Sequence, residues 1–196
     1  MDLEFAARGF KHLGSRRAQY LNDAYLLDIA EGEDWPWLEE TKEGTAPLSI
    51  GDLRTVEYVL DVSSGTEKLA PLLKDRITDD WNPDLTQTGT PSLYYITQGK
   101  TVNVFPVAAN KLQVKYWKVA TELSGEEEPL LPKRWHSLII DGAVSRAYEN
   151  SDDLELAVAS GERFQARLQL MRDSLLNPQR DSSDDYVVIE DAAALR

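Results

Sequence analysis

Near the C-terminus, apolar residues recur at alternating spacings of four and three, and this seam limits the folds open to the chain. Its residues are Ala157, Gly161, Phe164, Leu168, Met171 and Leu175. The spacing puts them on one face of an α-helix, over about three heptads. Because such a face is stable only when it packs against other helices, the sequence predicts a helical layer that includes this segment.

Helical spacing also occurs at the N-terminus and in the segment before the seam. Asp2, Ser15 and either Ser151 or Asp152 are suitable N-caps for the first, second and last helices. We expect the outer helices to pack together. Their apolar faces are Leu3, Ala6, Phe10 and Leu13; Ala18, Leu21, Tyr25 and Ile29; and Trp135, Leu138, Ile139, Gly142, Ala143 and Ala147.

Between these helical regions, apolar and polar residues alternate with the period of two that is typical of half-buried β-strands. The turn at residues 98–100 joins two of these segments into a hairpin. Residues 72–81 predict a short helix. The predicted strands, which together form a small antiparallel sheet, are residues 56–62, 92–97, 101–106 and 111–117.

The order of the elements predicts an α+β fold. In it, the N- and C-terminal helices form a helical bundle, an antiparallel β insertion interrupts the bundle, and an extended C-terminal arm follows. We expect the N-terminal helices in residues 1–45, the β insertion in 46–123, the C-terminal helices in 124–178 and the arm in 179–196.

The C-terminal arm contains a short apolar cluster between acidic residues. The cluster is Tyr186, Val187, Val188 and Ile189, and it follows the polar segment of residues 179–185. A β-prone cluster after a solvated linker is typical of a tail that binds a partner, so these four residues are the predicted partner-binding site. The alternatives are a last strand of the chain's own sheet and a disordered end.

The composition excludes several classes of function. The net charge is −13, with 34 acidic and 21 basic residues, which is unfavourable for gripping nucleic-acid phosphates. Acidity either keeps the protein soluble or repels DNA that passes nearby. Without cysteine, disulfides and thiolate metal sites are excluded. No apolar stretch approaches the roughly 18 residues of a membrane span, and the acidic start at residues 1–4 is unlike a secretory signal.

The sequence lacks the residue patterns that catalysis or metal binding needs. His12 and His136 have no second ligand at a metal-binding spacing, so both are interpreted as structural. The segment Gly99-Lys100-Thr101 lacks the upstream glycine of a phosphate-binding loop. Adjacent acidic pairs, such as Asp79-Asp80, lack the alternating spacing of a calcium loop. We therefore expect no enzymatic activity, no cofactor and no metal ion.

Three segments, in order along the chain, resemble phage head-to-tail adaptor proteins, which are also called connector or head-completion proteins. They extend over roughly residues 15–175. The segments are the helix at 20–24 with the corner Asp34-Trp35-Pro36-Trp37-Leu38; the β pair at 94–96 and 104–106, which leads to 112–117; and Leu130–His136, which opens a helix with Ile140–Ala143.

The resemblance implies a structural virion protein that assembles in the host cytoplasm and lies in the neck, at the head–tail interface. Such proteins form a ring, usually of twelve copies, beneath the portal, and DNA passes through the central channel without sequence-specific binding. The implied partners are the portal protein, neighbouring copies and a tail-completion or stopper protein. A C-terminal arm commonly reaches into the portal, which assigns that role to Tyr186–Ile189.

Two other functions remain open from the sequence. A tail-completion or stopper protein of the neck would also form a ring, but would bind the adaptor and not the portal. A small hydrolase that uses acidic residues would need a carboxylate with a perturbed pKa in a pocket.

Overall fold

The computed structural model describes residues 1–63, 65–72, 85–124, 128–151 and 153–177. It has a mixed α+β fold with a seven-stranded sheet and several helices in the described residues, which confirms the α+β part of the predicted fold class. The chain divides into two compact units. The helical unit comprises Met1–Gly32 and Glu122–Arg196, and the β unit comprises Glu33–Thr121.

The helical unit begins with α1 (Asp2–Ala7) and a 3₁₀ turn (Phe10–Leu13), separated by Gly9 in the left-handed region at φ 103°. Helix α2 (Arg16–Asp23) continues as a π-helix (Ala24–Ala30). After the β unit, a 3₁₀ turn (Lys133–Trp135) leads into α3 (His136–Glu149), and α4 (Leu154–Leu176) follows. The predicted helical segments are thus present, although the first is broken at Gly9.

The predicted seam of α4 packs against α3. Phe164, Leu168 and Met171 are buried, while Ala157, Gly161 and Leu175 are half-buried. Opposite the seam, Gly142 lets the elements approach closely, because a Cβ there would lie 3.0 Å from the Ala24 Cβ and 3.0 Å from the Phe164 ring. The seam is therefore a helix–helix interface, as the spacing predicts.

The helix caps differ from the predicted ones. Asp153, and not Ser151 or Asp152, caps α4 by accepting a hydrogen bond from the Leu156 backbone N–H at 3.2 Å. Asp2 lies inside the first turn of α1, and Ser15 occupies the N-cap position of α2 without a side-chain cap bond. A cap forms only where the backbone leaves the helix at that residue, and the sequence spacing locates this point to within one or two residues.

The β unit has a short 3₁₀ turn (Pro36–Leu38) followed by its strands. In the described residues the sheet order is β1-β7-β3-β4-β5-β6-β2. The strands are β1 (Glu39–Thr45), β2 (Leu48–Ser49), β3 (Leu53–Asp61), β4 (Glu67–Pro71), β5 (Leu93–Ile96), β6 (Thr101–Phe105) and β7 (Lys111–Lys118).

The two ends of the sheet meet, so the β unit curls around its own core. Strands β1 and β2 are at opposite ends of the order, yet only Ala46 and Pro47 separate them in the chain. The Lys42 Nζ donates to the Ser49 carbonyl at 3.0 Å across this join. The core contains apolar side chains from every strand except β1, including the fully buried Val59, Val102, Leu112 and Val114.

Three features of the β unit depart from the sequence analysis. Residues 39–45, expected at the end of the N-terminal helical region, form β1 and pair with β7. Strands β4 and β5 pair in parallel, against the predicted antiparallel arrangement, and residues 72–92 between them are numerous enough for the crossover connection that a parallel pair needs. Of the helix predicted at 72–81, all but Leu72 lies outside the described residues.

The close approach at Gly142 generates a stability prediction. We expect Gly142→Ala to lower the free energy of unfolding by about 1–2 kcal/mol, because the added methyl overpacks a contact between elements fixed by their backbones. Urea denaturation followed by circular dichroism measures the change. Gly161→Ala is the matched control, since its Cβ would meet the Ser145 Oγ at an ordinary 3.4 Å and alanine favours the helix. Equal stability of the two variants would contradict the prediction.

The core of the β unit generates a pH prediction. Burial, with the carboxylates of Asp52 and Glu40 nearby, raises the pKa of Tyr116 to about 12. The folded state therefore keeps the phenol neutral, while the unfolded chain ionises it above about pH 10. Stability should fall as the pH rises from about 10 to 12, and Tyr116→Phe should reduce this fall. Urea denaturation at several alkaline pH values measures the slope, and an unchanged slope in the variant would refute the assignment.

Candidate functional site

The predicted partner-binding residues, Tyr186, Val187, Val188 and Ile189, lie outside the described residues, as does the whole arm at 179–196. The described surfaces that can bind a partner therefore have to be identified from the two compact units. In the helical unit one such surface is a groove beside α3 and α4, and an ion-pair cluster forms part of its wall.

A buried carboxylate holds three segments of the helical unit together. Asp141 on α3 is 3% exposed and accepts from Arg8 Nη1 at 2.5 Å through one oxygen and from Arg167 Nη1 through the other. Arg167 also donates to the Ser137 Oγ at 2.7 Å. Arg8 follows α1 and Arg167 lies on α4, so the carboxylate joins both ends of the chain to α3. Two guanidinium groups compensate the cost of burying the negative charge.

A groove of about 360 Å³ lies next to this cluster, and we call it the α3–α4 groove. Its apolar walls include the ring pair Phe10 and Tyr148, which meet edge to face with centroids 5.0 Å apart. The lining residues are Arg8 and Phe10 from the N-terminal segment, Asp141, Val144 and Tyr148 from α3, and Leu156, Ala159, Ser160 and Arg163 from α4.

The groove combines an apolar floor with a basic rim. Leu156 is 45% exposed at one end. Arg163 is exposed at the other end, and its side chain takes part in no ion pair or hydrogen bond among the described residues. The α4 residues of the lining are three or four positions apart, so they form a stripe along the helix axis. Such a surface suits an extended apolar segment with acidic neighbours.

A second ion pair links the π-helix to α3. Arg146 donates to both oxygens of Asp28 at 2.6 and 2.7 Å, and Asp23 lies 4.0 Å away. The hydrogen bonds to Asp28 are the largest cause of a raised pKa at Arg146. A bidentate pair fixes the orientation of both side chains, so this contact defines how the π-helix sits on α3.

The outer face of the β unit is covered by ion pairs. Lys115 on β7 lies between Glu39 at 3.0 Å and Glu57 at 2.9 Å, and hydrogen bonds to these carboxylates raise its pKa. Beside it, Lys111 pairs with Glu43 at 2.9 Å. Cross-strand pairs of opposite charge stabilise a sheet face and keep the edge strand β1 polar, which disfavours edge-to-edge association.

The histidines have structural contacts in the described structure. His12 is exposed, with Nδ1 3.2 Å from the Gly9 carbonyl, and the His136 Nε2 lies 3.0 Å from the Leu131 carbonyl. Within the described ranges, no group of three or more acidic or histidine side chains is arranged to hold a metal ion. In the same ranges, none of the helices has the length and apolarity needed to cross a membrane.

Sequence reasoning missed Asp141 and the α3–α4 groove. Asp141 lies among the apolar residues Leu138, Ile139, Gly142 and Ala143. In the sequence, its one distinguishing feature is that it is a charged residue inside an apolar run. Its partners Arg8 and Arg167 are 133 and 26 residues away in sequence. Because a buried charge requires oppositely charged partners, an acidic residue inside an apolar run is a sequence signal for such an ion-pair cluster.

Comparison with known proteins gives one family. A family model described as SU10 adaptor protein matches residues 14–188, which is most of the chain and reaches into the predicted partner-binding residues. The resemblance to phage adaptor proteins that the sequence suggested is confirmed by this match. No curated protein matches the sequence.

The Asp141 cluster generates a stability prediction. We expect Asp141→Ala to lower the free energy of unfolding by about 3 kcal/mol, because Arg8 and Arg167 lose their shared partner and α1 loses its link to α3. Urea denaturation measures the change. Asp2→Ala, which removes the exposed Asp2–Arg17 pair in the same unit, should cost at most about 1 kcal/mol. Similar decreases in the free energy of unfolding for both variants would show that the Asp141 cluster contributes no more to stability than an exposed ion pair.

Proposed function

The chain belongs to the SU10 adaptor protein family, and we propose that it is the head-to-tail adaptor of a tailed phage. The family match over residues 14–188 is the observation that supports this proposal most strongly. In this role the protein forms a ring beneath the portal and links the capsid to the tail. It acts through binding surfaces, with no catalytic step.

Exposed apolar side chains support assembly with other subunits. On α4, Leu154 is 76% and Val158 is 61% exposed, and the spacing of four puts both on one helix face. Exposed apolar neighbours of this kind mark protein interaction sites. A closed ring requires that one face of a subunit binds a different face of the next. The α4 face supplies one half of such a contact.

The net charge supports a role next to passing DNA. Each subunit carries −13, so a ring of about twelve subunits would surround the DNA with strongly acidic protein. Phosphates are attracted by lysine and arginine, and an acidic surface repels them. We infer that the channel lets DNA slide without being held.

The arm is the proposed contact with the portal. Tyr186–Ile189 supplies four apolar residues, and nine residues separate this cluster from the end of α4. An extended segment adds binding area without enlarging the folded body, and its apolar residues are those that can be buried on the partner.

The adaptor function is tested by measuring the mass of the purified chain alone and mixed with its portal. We expect a complex with about twelve copies of the chain, lost when the chain is truncated at Asn177. A truncation after Glu190, which keeps Tyr186–Ile189, is the matched control and should retain binding.

The outcomes separate the competing functions. If the chain fails to bind portal with or without the arm, the adaptor proposal is wrong and a stopper or tail-completion role takes its place. If both truncations bind equally well, the adaptor role stands and the arm is not the portal contact.

A further inference from the structure

We propose that the α3–α4 groove binds residues 184–191 of the same chain when the protein is free of other partners. This segment reads Asp-Asp-Tyr-Val-Val-Ile-Glu-Asp, four apolar residues with two acidic residues on each side. The interaction would store the C-terminal segment on the helical unit. It requires neither the ring nor the portal.

The apolar residues of the segment match the groove floor. Phe10, Val144 and Tyr148 line the groove, and Leu156 remains 45% exposed on its rim. An extended segment that lies along the α4 stripe would cover Leu156 and Ala159 and insert apolar side chains beside the Phe10 and Tyr148 rings. Covering this surface removes apolar area from water both on the groove and on the segment.

The charges of the segment match the rim. Arg163 lacks an ion-pair partner among the described residues, and Arg8 and Arg167 share the single carboxylate of Asp141. Glu4 offsets part of the positive charge through its 3.4 Å pair with Arg8. The groove thus retains an excess of positive charge in a chain whose net charge is −13. Acidic residues on both sides of the apolar cluster complement this rim.

The chain is long enough for the segment to reach the groove on its own subunit. Helix α4 rises about 1.5 Å per residue, so Arg163 lies roughly 21 Å from Asn177 and Leu156 roughly 32 Å. If residues 178–180 reverse the chain, an extended path at about 3.3 Å per residue brings Tyr186 to a distance of roughly 20 Å and Ile189 to roughly 30 Å. The apolar cluster then spans the interval between Arg163 and Leu156.

This match of lengths favours the same chain as the occupant over a second copy. A tethered segment has an effective concentration in the millimolar range, so a weak contact suffices to hold it. The linker of residues 178–185 is long enough to span the path from Asn177 to the groove, which an intramolecular contact requires.

Storage of the segment has a consequence that rests on the proposed function. If Tyr186–Ile189 also binds the portal, groove and portal compete for the same residues. Free subunits would then keep their apolar cluster covered until a portal replaces the groove. A covered cluster is less prone to aggregate than an exposed β-prone one.

Hydrogen exchange of the full-length chain without portal tests the docking. Amides of Tyr186–Ile189 should be protected, and Arg163→Glu should lower their protection about tenfold, because an attraction becomes a repulsion. Arg16→Glu is the matched control: Arg16 is exposed on α2, outside the groove, and the same charge change there should leave protection unaltered. Adding Asp184→Lys and Asp185→Lys to Arg163→Glu should restore protection.

Each outcome decides the proposal. Amides that exchange freely in the wild-type chain, or protection that survives Arg163→Glu, would overturn it. Protection that rises with protein concentration would also overturn it, since the segment would then bind a second copy. Because no portal is present, a failed portal complex leaves this result unaffected, and the two proposals can fail separately.

Discussion

The packing of α1, α3 and α4 in the helical unit depends on a buried charge. Asp141 lies on α3, in the middle of an apolar run, and is stable there because Arg8 and Arg167 each donate to one of its oxygens. The two arginines come from opposite ends of the chain, so the carboxylate connects α1, α3 and α4 at one point. Hydrophobic contacts alone allow a helix to slide or rotate, whereas this cluster permits one arrangement. The α3–α4 groove has its shape because the cluster fixes its walls.

The β unit depends on a different constraint, the short link between β1 and β2. Residues 46 and 47 oblige the two ends of the sheet to be neighbours, so the sheet must curl around a core that takes apolar side chains from every strand except β1. The polar outer face then needs no partner, and Lys115 with its carboxylates lies across three strands there. Each unit thus has its own core and its own contact that excludes alternative arrangements of its helices or strands. This independence allows the β unit to be inserted in the sequence of the helical unit.

The elements that sequence analysis predicted are those with strong periodicity. Phe164, Leu168 and Met171 recur at helical spacing and are buried, and β7 alternates as a half-buried strand must. Strand β1 was missed because its residues are polar and almost wholly exposed, and they therefore show no alternation of apolar and polar residues. It is a strand because it pairs with β7. The parallel β4–β5 pair and the Asp141 cluster join residues distant in sequence, and no local pattern encodes such contacts. The groove was missed for the same reason, since three separate segments line it.

The net charge of the chain is negative, whereas the rim of the α3–α4 groove is positive, and this contrast bears on function. A chain with net charge −13 repels copies of itself at a distance, and salt screens this repulsion over about 8 Å under physiological conditions. Contacts at shorter range, such as apolar α4 surfaces and basic groove rims, can still bind. Arg163 would then attract only a segment that is already close to it. A covalent tether keeps a segment close, whereas free diffusion does not. Long-range repulsion with short-range attraction favours binding partners that are covalently attached or held in place by a larger assembly.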